Sequence, residues 1–344
     1  MLNYKGKFAV IGATGVVGRE LLAILSGMDV DVENVFAVAS EDSLGKELEY
    51  GEETICVDSL KDFDFSKVSI AFFVAGSDVS KEYIPKCTQK GVIVIDNSSY
   101  YRSHSKVPLV IPEINPDAIA DYKNMNIIAN PNCSTIQMLV ALHKLHSEYK
   151  IKRIVASTYQ SVSGAGTKAM QELFNQTQAI FQNEDPKALR KHFTKQMAFN
   201  VIPHIGDFRE DDSTQEEWKM NYETKKILDP NIEVSVTCVR VPVFFSHSEA
   251  LNVEFEKDID YKNILELIKA SEGVEIFSHS RDEGYITPIE AEGENTVLVS
   301  RVRLDETKKN TISMWVVSDN IRKGAALNAV QIANKLIQNF LSAN

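Results

Sequence analysis

Residues 7–18 read KFAVIGATGVVG, and this stretch decides the fold class. KFAVI is a short apolar run of strand character that ends on Gly12-x-x-Gly15-x-x-Gly18. RELLAILSGM follows, with Leu21, Leu22, Leu25 and Met28 at helical spacing. In a strand–loop–helix setting, small residues let a backbone approach a pyrophosphate while the helix N-terminus attracts its charge. Outside that setting the same glycines would read as a tight turn packed on a sheet. The alternation continues. VFAVAS ends at Ser40, VSIAFFVAG covers 68–76, a helix-like stretch runs over 79–90, and GVIVIDNSS covers 91–99. Strands alternating with helices predict an α/β fold with a parallel sheet covered on both faces.

The chain has 344 residues, 44% of them hydrophobic, enough for about two domains. Its net charge is −11, from 37 basic and 48 acidic residues, with no basic block. That balance argues against nucleic acid or an anionic membrane as the partner. No apolar run approaches the roughly 18 residues of a membrane span. MLNYKGKFAVIGATG shows no charged n-region, apolar core and small-residue cleavage site, so no secretory leader is expected. Cys56, Cys87, Cys133 and Cys238 form no C-x-x-C pair. Neither a disulfide framework nor a metal site is expected, and a reducing cytoplasm fits.

The pattern changes after about residue 130. Ser134 to Glu148 reads as an amphipathic helix through Ile136, Leu139, Val140 and Leu142. Longer strands follow: IKRIVASTYQSVS, IEVSVTCVRVPVFF, ALNVEFE, NTVLVSRVRL and TISMWVVS. Turns between them, with few helices, suggest a mixed or antiparallel sheet. NIRKGAALNAVQIANKLIQNFL reads as one long helix.

The stretch NPNCST, residues 130–135, lies where the pattern changes. Asn132 is a candidate N-cap, which puts Cys133 in the first turn of a helix. A helix N-terminus favours a thiolate, and its backbone N–H groups can stabilise an oxyanion. Cys56, Cys87 and Cys238 sit in apolar or strand-like runs and read as small buried hydrophobes. A cysteine nucleophile needs a proton shuttle. His143 and His146 fall on solvated faces of the following helix. His104, His192, His204 and His279 carry no clear signature. His247 ends the stretch RVPVFFSH that begins at Arg240, opening a turn before the next strand. Arg240 and His247 together offer a carboxylate clamp and an acid/base. Either alone would more often be a surface charge or a satisfied polar group.

Seven blocks, GATGVVG from Gly12, DNSS from Asp96, NPNCST from Asn130, YQSVSGAG from Tyr159, EEWK from Glu216, RVPVFFSH from Arg240 and SDNIRKGAALNAV from Ser318, resemble the bacterial type of the aspartate-semialdehyde dehydrogenase family. The resemblance runs from near residue 5 to near residue 340. It implies an N-terminal Rossmann dinucleotide-binding domain over 1–131, completed by a returning C-terminal helix over 321–344. It implies an α+β catalytic and dimerisation domain with a mixed sheet over 132–320, and a homodimer.

The implied reaction is the reductive dephosphorylation of L-aspartyl 4-phosphate to L-aspartate 4-semialdehyde with NADPH, in lysine, threonine, methionine and diaminopimelate biosynthesis. By the resemblance, Cys133 is the nucleophile, His247 the acid/base and Gln160 the residue orienting substrate beside the thiol. Arg240 would hold the α-carboxylate and Glu216 the α-amino group. Arg102, Lys219 and Asn97 would bind phosphate. Gly12, Ala13, Thr14, Gly15, Val16, Val17, Gly18, Ser40, Glu41, Asp42, Ser43, Ser163, Gly164 and Asn320 would contact NADP(H). Taken singly, Gln160 is a polar strand residue, Arg102 a loop charge, and Glu216 with Lys219 an i,i+3 pair on a helix surface.

In one place the chain departs from the family. The family usually has a basic residue between the two serines of ASEDS, where this chain has Glu41 and Asp42. An acidic side chain there suits the ribose 2′-OH of NAD, so weakened discrimination between NADP and NAD is expected. Two rival readings remain: an N-acetyl-γ-glutamyl-phosphate reductase-like enzyme, and a non-catalytic dinucleotide-binding paralogue.

Overall fold

The computed structural model describes residue 4, residues 6–278 and residues 282–341. His279 and the last three residues of the C-terminal helix expected over 321–344 lie outside them. The chain divides into two compact units, residues 1–132 with 325–344, and residues 133–324.

The first unit is built on seven strands: β1 (Phe8–Ile11), β2 (Val35–Ala39), β3 (Glu47–Tyr50), β4 (Glu53–Ser59), β5 (Ile70–Phe73), β6 (Ile93–Asp96) and β7 (Ile127–Ala129). Their order is β3-β4-β2-β1-β5-β6-β7, and only the β3–β4 hairpin is antiparallel. β1 and β5 are buried at every position, as a sheet covered on both faces requires. The chain steps outward from β1 to β2 and then crosses back to β5. The carboxyl ends of β1 and β5 therefore flank the crevice in which such sheets bind ligands. Helix α1 (Val16–Gly27) follows β1, and α2 (Ser77–Thr88) follows β5. The hairpin β3–β4 was not foreseen; its short strands carry mostly exposed polar residues at alternate positions.

The second unit opens with α3 (Cys133–Tyr149) and β8 (Ile151–Gln160). Then come α4 (Thr167–Phe181), α5 (Gln215–Ile227), β9 (Glu233–Arg240), β10 (His247–Phe255), α6 (Tyr261–Lys269), β11 (Val274–Ile276), α7 (Pro288–Ala291), β12 (Val297–Leu304) and β13 (Thr311–Ser318). The sheet order is β11-β12-β13-β10-β8-β9, with β8–β9 and β11–β12 parallel and the rest antiparallel. The mixed sheet is as expected, but few helices between strands is not. β8 and β9 are parallel neighbours, so the chain needs a long crossover, and α4 and α5 lie in it. Thr214 and Glu217 form a capping box at the start of α5, a T-x-x-E signal visible in the sequence.

The C-terminal segment is not one α-helix. A π turn over Arg322–Ala326 leads into α8 (Leu327–Leu336), and a second π turn spans Ile337–Leu341. Ala326, Ala329, Val330, Ala333 and Leu336 pack in the core of the first unit with Val10, Leu21, Phe72 and Ile95. The last helix thus completes the dinucleotide-type unit.

Two expectations about single residues fail. Cys56 is exposed on β4, because the alternation of that strand turns it outward. His146 is buried; its Nδ1 accepts from the Ile151 N–H, and its Nε2 lies 3.4 Å from Asp229. Burial against the start of β8, rather than a solvated helix face, sets its environment.

Gly12 has φ +95°, and a Cβ there would sit 3.0 Å from the Ala75 nitrogen and the Val74 carbonyl. A Cβ on Gly18 would collide with the Gly12 carbonyl oxygen and lie 2.7 Å from Ala13 Cα. Gly18→Ala should therefore cost about 1–3 kcal/mol or more, since backbone, not a flexible side chain, must yield. Urea unfolding of wild type and variant checks this, and equal midpoints would contradict it.

Candidate active site

The site grows from register. Ser318 on β13, His247 on β10, Gln160 on β8 and Arg240 on β9 are successive Cα partners across four strands. Directly opposed residues share a face, so one row presents a hydroxyl, an imidazole, an amide and a guanidinium side by side. All four are buried. β10 begins at His247, three residues before the apolar alternation ALNVEFE that marked it in the sequence. His247, Ser248 and Glu249 are polar and read as a turn, yet each is at most 1% exposed.

Each member of the row is held by a neighbour. The Ser161 backbone N–H donates to His247 Nδ1 at 3.1 Å. That lone pair is thereby used as an acceptor, so the ring proton sits on Nε2. Nε2 is buried with no hydrogen-bond partner in the protein. Burial and the nearby Arg240 charge push the His247 pKa down to about 3, so the imidazole is neutral at working pH. The Asn320 carboxamide oxygen accepts from Ser161 Oγ, Ser163 Oγ and the Ser246 N–H, tying the turn before β10 to the turn after β8.

Gln160 is fixed at both ends: its Oε1 accepts from Thr158 Oγ1 and its Nε2 donates to Glu216 Oε1, both at 3.0 Å. The second Glu216 oxygen pairs with Lys219 at 3.1 Å. Glu216 and Lys219 are thus not an ordinary surface pair, since Glu216 is only 6% exposed and hydrogen-bonded into the row. Arg240 donates from Nη1 to the Ser161 carbonyl at 2.6 Å. Burial disfavours its charge while Glu216 and Cys133 favour it.

Cys133 is the first residue of α3 and is partly accessible. The helix N-terminus and the Arg240 guanidinium both favour negative charge on its sulfur. A Cβ on Gly324 would lie 2.8 Å from Cys133 Cβ and 3.6 Å from Asn320 Cβ. A Cβ on Gly164 would lie 3.3 Å from both Arg240 Nη1 and His247 Nε2. The missing methyl at Gly164 leaves room for a ligand against the two groups. By contrast, Cys87 and Cys238 are buried, and burial pushes the Cys87 thiol up to about 12 and Cys238 higher.

In the first unit the glycine loop suits a dinucleotide. α1 starts at Gly15 with no side-chain cap and no acidic residue in its first turn, and Arg19 Nε donates back to the Thr14 carbonyl. Thr14, Val16 and Val17 line the approach to that helix start. Glu41, Asp42 and Ser43 form a short 3-10 turn after Ser40. Ser43 Oγ accepts from Lys46 Nζ, while exposed Glu41 pairs with Lys61 at 3.1 Å. Asn97 and Arg102 meet in this unit: Arg102 Nη2 donates to the Asn97 carbonyl at 2.7 Å. Buried Asp96 shapes their loop by accepting from Ser80 Oγ, Ser98 Oγ and the Ser98 N–H. Lys219, the third expected phosphate contact, belongs to the second unit. Among the described residues no cluster of three metal-ligating side chains occurs.

Sequence reasoning missed Ser161, Ser246, Thr158 and Gly324. Ser161 lies inside YQSVSGAG and Gly324 inside IRKGAA, so both were within recognised blocks. Ser161 acts through its backbone as well as its hydroxyl, and Gly324 through close approach alone, which a search for reactive side chains does not reveal.

A nucleotide-type unit, and a second unit with a cysteine at a helix start and a histidine and an arginine buried on its sheet, point to the class of NAD(P)-dependent dehydrogenases. Comparison with known proteins bears this out. The profile "Semialdehyde dehydrogenase, NAD binding domain" matches residues 7–122, and "Semialdehyde dehydrogenase, dimerisation domain" matches 142–323. The aspartate-semialdehyde dehydrogenase of Rickettsia conorii is 49% identical, covering 99% of this chain and all of that one. That of Aquifex aeolicus is also 49% identical, covering 97% and 99%. The crystal structure of Vibrio cholerae aspartate semialdehyde dehydrogenase II complexed with ASA has a TM-score of 0.94 at 44% identity, covering 98% and 100%. The chain belongs to the aspartate-semialdehyde dehydrogenase family.

The depressed His247 pKa has a consequence for stability. The folded protein keeps this ring neutral down to about pH 3, whereas the unfolded chain protonates it near pH 6.5. Its contribution is present above about pH 6.5 and is lost as pH falls toward 3. Between pH 7 and about 4.5, wild type should lose about 2–3 kcal/mol more unfolding free energy than His247→Gln. Urea titrations at several pH values test this, and parallel pH profiles would contradict it.

Proposed function

We propose that this protein interconverts L-aspartyl 4-phosphate and L-aspartate 4-semialdehyde, using NADPH and releasing phosphate. The observation that carries the reading is the row of Arg240, Gln160 and His247 with Glu216 hydrogen-bonded to it and Cys133 acting on Arg240. A guanidinium and a carboxylate set together beside a nucleophile match the α-carboxylate and α-ammonium of an amino acid. The Vibrio cholerae relative, solved with ASA, supports the same substrate class. An N-acetylated substrate has no α-ammonium for Glu216 to meet, which disfavours the acetylglutamyl reading. The presence of Cys133, His247 and Arg240 together disfavours a non-catalytic paralogue.

The Cys133 sulfur attacks the acyl carbonyl of the substrate. The S–C bond forms, the bond from the acyl carbon to the phosphate oxygen breaks, and phosphate leaves, so that the acyl group remains on Cys133 as a thioester. Arg102, Lys219 and Asn97 supply the donors suited to that phosphate. When bound, a nicotinamide dinucleotide would supply the hydride that reduces the thioester carbon; the C–S bond then breaks, which frees the semialdehyde and returns the Cys133 thiolate. His247, with its proton on Nε2, donates toward the oxygen on which negative charge develops, and Gln160 holds Glu216 in place while this happens. Ser163, Gly164 and Asn320 shape the adjoining turn, and Gly164 leaves the room in front of His247.

The glycine loop Gly12, Ala13, Thr14, Gly15, Val16, Val17 and Gly18 is read as the pyrophosphate site. Ser40, Glu41, Asp42 and Ser43 are read as the ribose turn. Lys61 offsets the Glu41 charge and Lys46 reaches Ser43, so the turn can accept a 2′-phosphate despite its two acids. A homodimer is inferred from the matched dimerisation domain and from the second face of the six-stranded sheet, where Tyr159 is exposed and Trp315 is half-buried. Four free cysteines suit a reducing cytoplasm, and among the described residues no helix is long and apolar enough to cross a membrane.

The reverse reaction tests the reading. L-aspartate 4-semialdehyde, inorganic phosphate and NADP⁺ should yield reduced cofactor in a strictly phosphate-dependent way, and Cys133→Ser should abolish it. Turnover with the N-acetylglutamate analogue alone would overturn the substrate. NADP⁺ should be preferred over NAD⁺ by less than roughly a hundredfold, about 2.7 kcal/mol. A larger ratio would show that Glu41 and Asp42 do not weaken discrimination.

A further inference from the structure

Behind the reactive row lies a second layer that the reaction as described does not use. Glu249 stands two residues past His247 on β10 and so points to the same face of the sheet. It is fully buried, and neither carboxyl oxygen has a hydrogen-bond partner. Gln137 stands four residues past Cys133 on α3, one turn along the same face of the helix. It is 1% exposed, and neither atom of its amide is hydrogen-bonded. α3 packs on β10, and Gln137 is the side chain that acts on the Glu249 carboxyl. Each element that carries a reactive side chain thus carries, one repeat further back, a buried polar group with unused bonding capacity.

Among the described residues, burial and Gln137 are what act on the Glu249 carboxyl. Its Cα partners are Thr158 on β8 and Val316 on β13. Its own strand brings His247, which is neutral, and α3 brings Cys133. Arg240 and Cys238 stand on β9, beyond β8, and Glu216 on α5 is taken by Gln160 and Lys219. Burial holds the Glu249 carboxyl well above the usual carboxylate range. In the neutral form it is a donor through O–H and an acceptor through C=O, and a primary amide has the same pair of functions. Two such groups face to face satisfy each other twice. Both terminal torsions are soft, so the two groups can turn to meet each other. An ionised carboxylate could only accept, and it would put negative charge one turn behind the sulfur.

We propose that Glu249, as a neutral carboxylic acid, and Gln137 form a two-bond clamp that ties the Cys133 helix to the His247 strand. Glu249 is then a positioning residue for the nucleophile. The inference rests on the reading of Cys133 as that nucleophile.

The test compares Glu249→Gln, Glu249→Leu, Gln137→Leu and the double leucine variant. It measures kcat, KM and the rate of thiol alkylation by iodoacetamide across pH. Glu249→Leu should lower both kcat and the alkylation rate about 10- to 100-fold with little change in KM, as expected for a slightly displaced reacting atom. Gln137→Leu should match it, and the double variant should be no worse than either single one. Glu249→Gln, whose amide can make the same two bonds, should keep both rates within about threefold of wild type. Infrared spectra should show a protonated-carboxyl band at about pH 8 that Glu249→Gln removes.

Folded leucine variants with unchanged alkylation, an additive double variant, or a Glu249→Gln as impaired as Glu249→Leu would each overturn the clamp. If the leucine variants do not fold, the infrared band and Glu249→Gln still decide, since absence of the band means a carboxylate. A fast-alkylating thiol that survives in Cys133→Ser would instead overturn the nucleophile on which the clamp rests.

Discussion

The polar row on which the proposed chemistry rests depends on the pairing of His247 with Gln160 and of Gln160 with Arg240 across β10, β8 and β9. The side-chain period of a strand is two, so a slip of one residue would send His247 to the opposite face. The register is held by what lies further along the same strands. Leu251, Val253 and Phe255 on β10 and Ile154 and Ala156 on β8 are buried on that face. The apolar core at one end of the sheet therefore fixes the polar row at the other. Backbone groups at the strand ends finish the work, since the Ser161 N–H and carbonyl address His247 and Arg240 separately.

Burial then decides which members of the row carry charge. Arg240 keeps its cation because a guanidinium resists deprotonation and Glu216 faces it. His247 and Glu249 lose theirs, one driven down and the other driven up by the same desolvation. Their effects on stability have opposite signs. His247 contributes above about pH 6.5 and that contribution is lost on acidification. Glu249 has its contribution below the ordinary carboxyl pKa of about 4.3, and it is lost as pH rises. Near neutrality the fold thus bears the cost of a neutral Glu249 on the strand packed against α3.

Much of this was legible before any coordinates. The glycine loop announced itself because its constraint is local: strand, turn and helix are contiguous. Cys133 was legible for the same reason, standing at a helix start marked by Asn-Pro-Asn. The row was harder. Arg240 and His247 share one stretch, RVPVFFSH, but Gln160 lies far upstream and only the resemblance joined it to them; the strand ends that align them look like turns, because HSE at 247–249 is polar. α4 was passed over, and α5 was met only as the helix surface carrying Glu216 and Lys219, because a crossover between parallel strands is a consequence of pairing, which sequence periodicity does not report. Cys56 and His146 went astray through burial, which follows from what packs opposite rather than from the residue's own neighbours.

The two units solve their binding problems by different means. In the first, recognition is largely a matter of backbone and empty space: Gly12 and Gly18 remove methyl groups so that loop, helix start and strand ends come close. In the second, side chains carry the proposed chemistry, yet the same device recurs where Gly324 lies against Cys133 and Gly164 against His247 and Arg240. A methyl at either place would occupy volume beside Cys133 or beside His247 and Arg240. This explains why the blocks that carried the resemblance are rich in glycine: YQSVSGAG and IRKGAA preserve room around the row, while GATGVVG preserves room around a phosphate. The reactive side chains are only half of what these blocks encode.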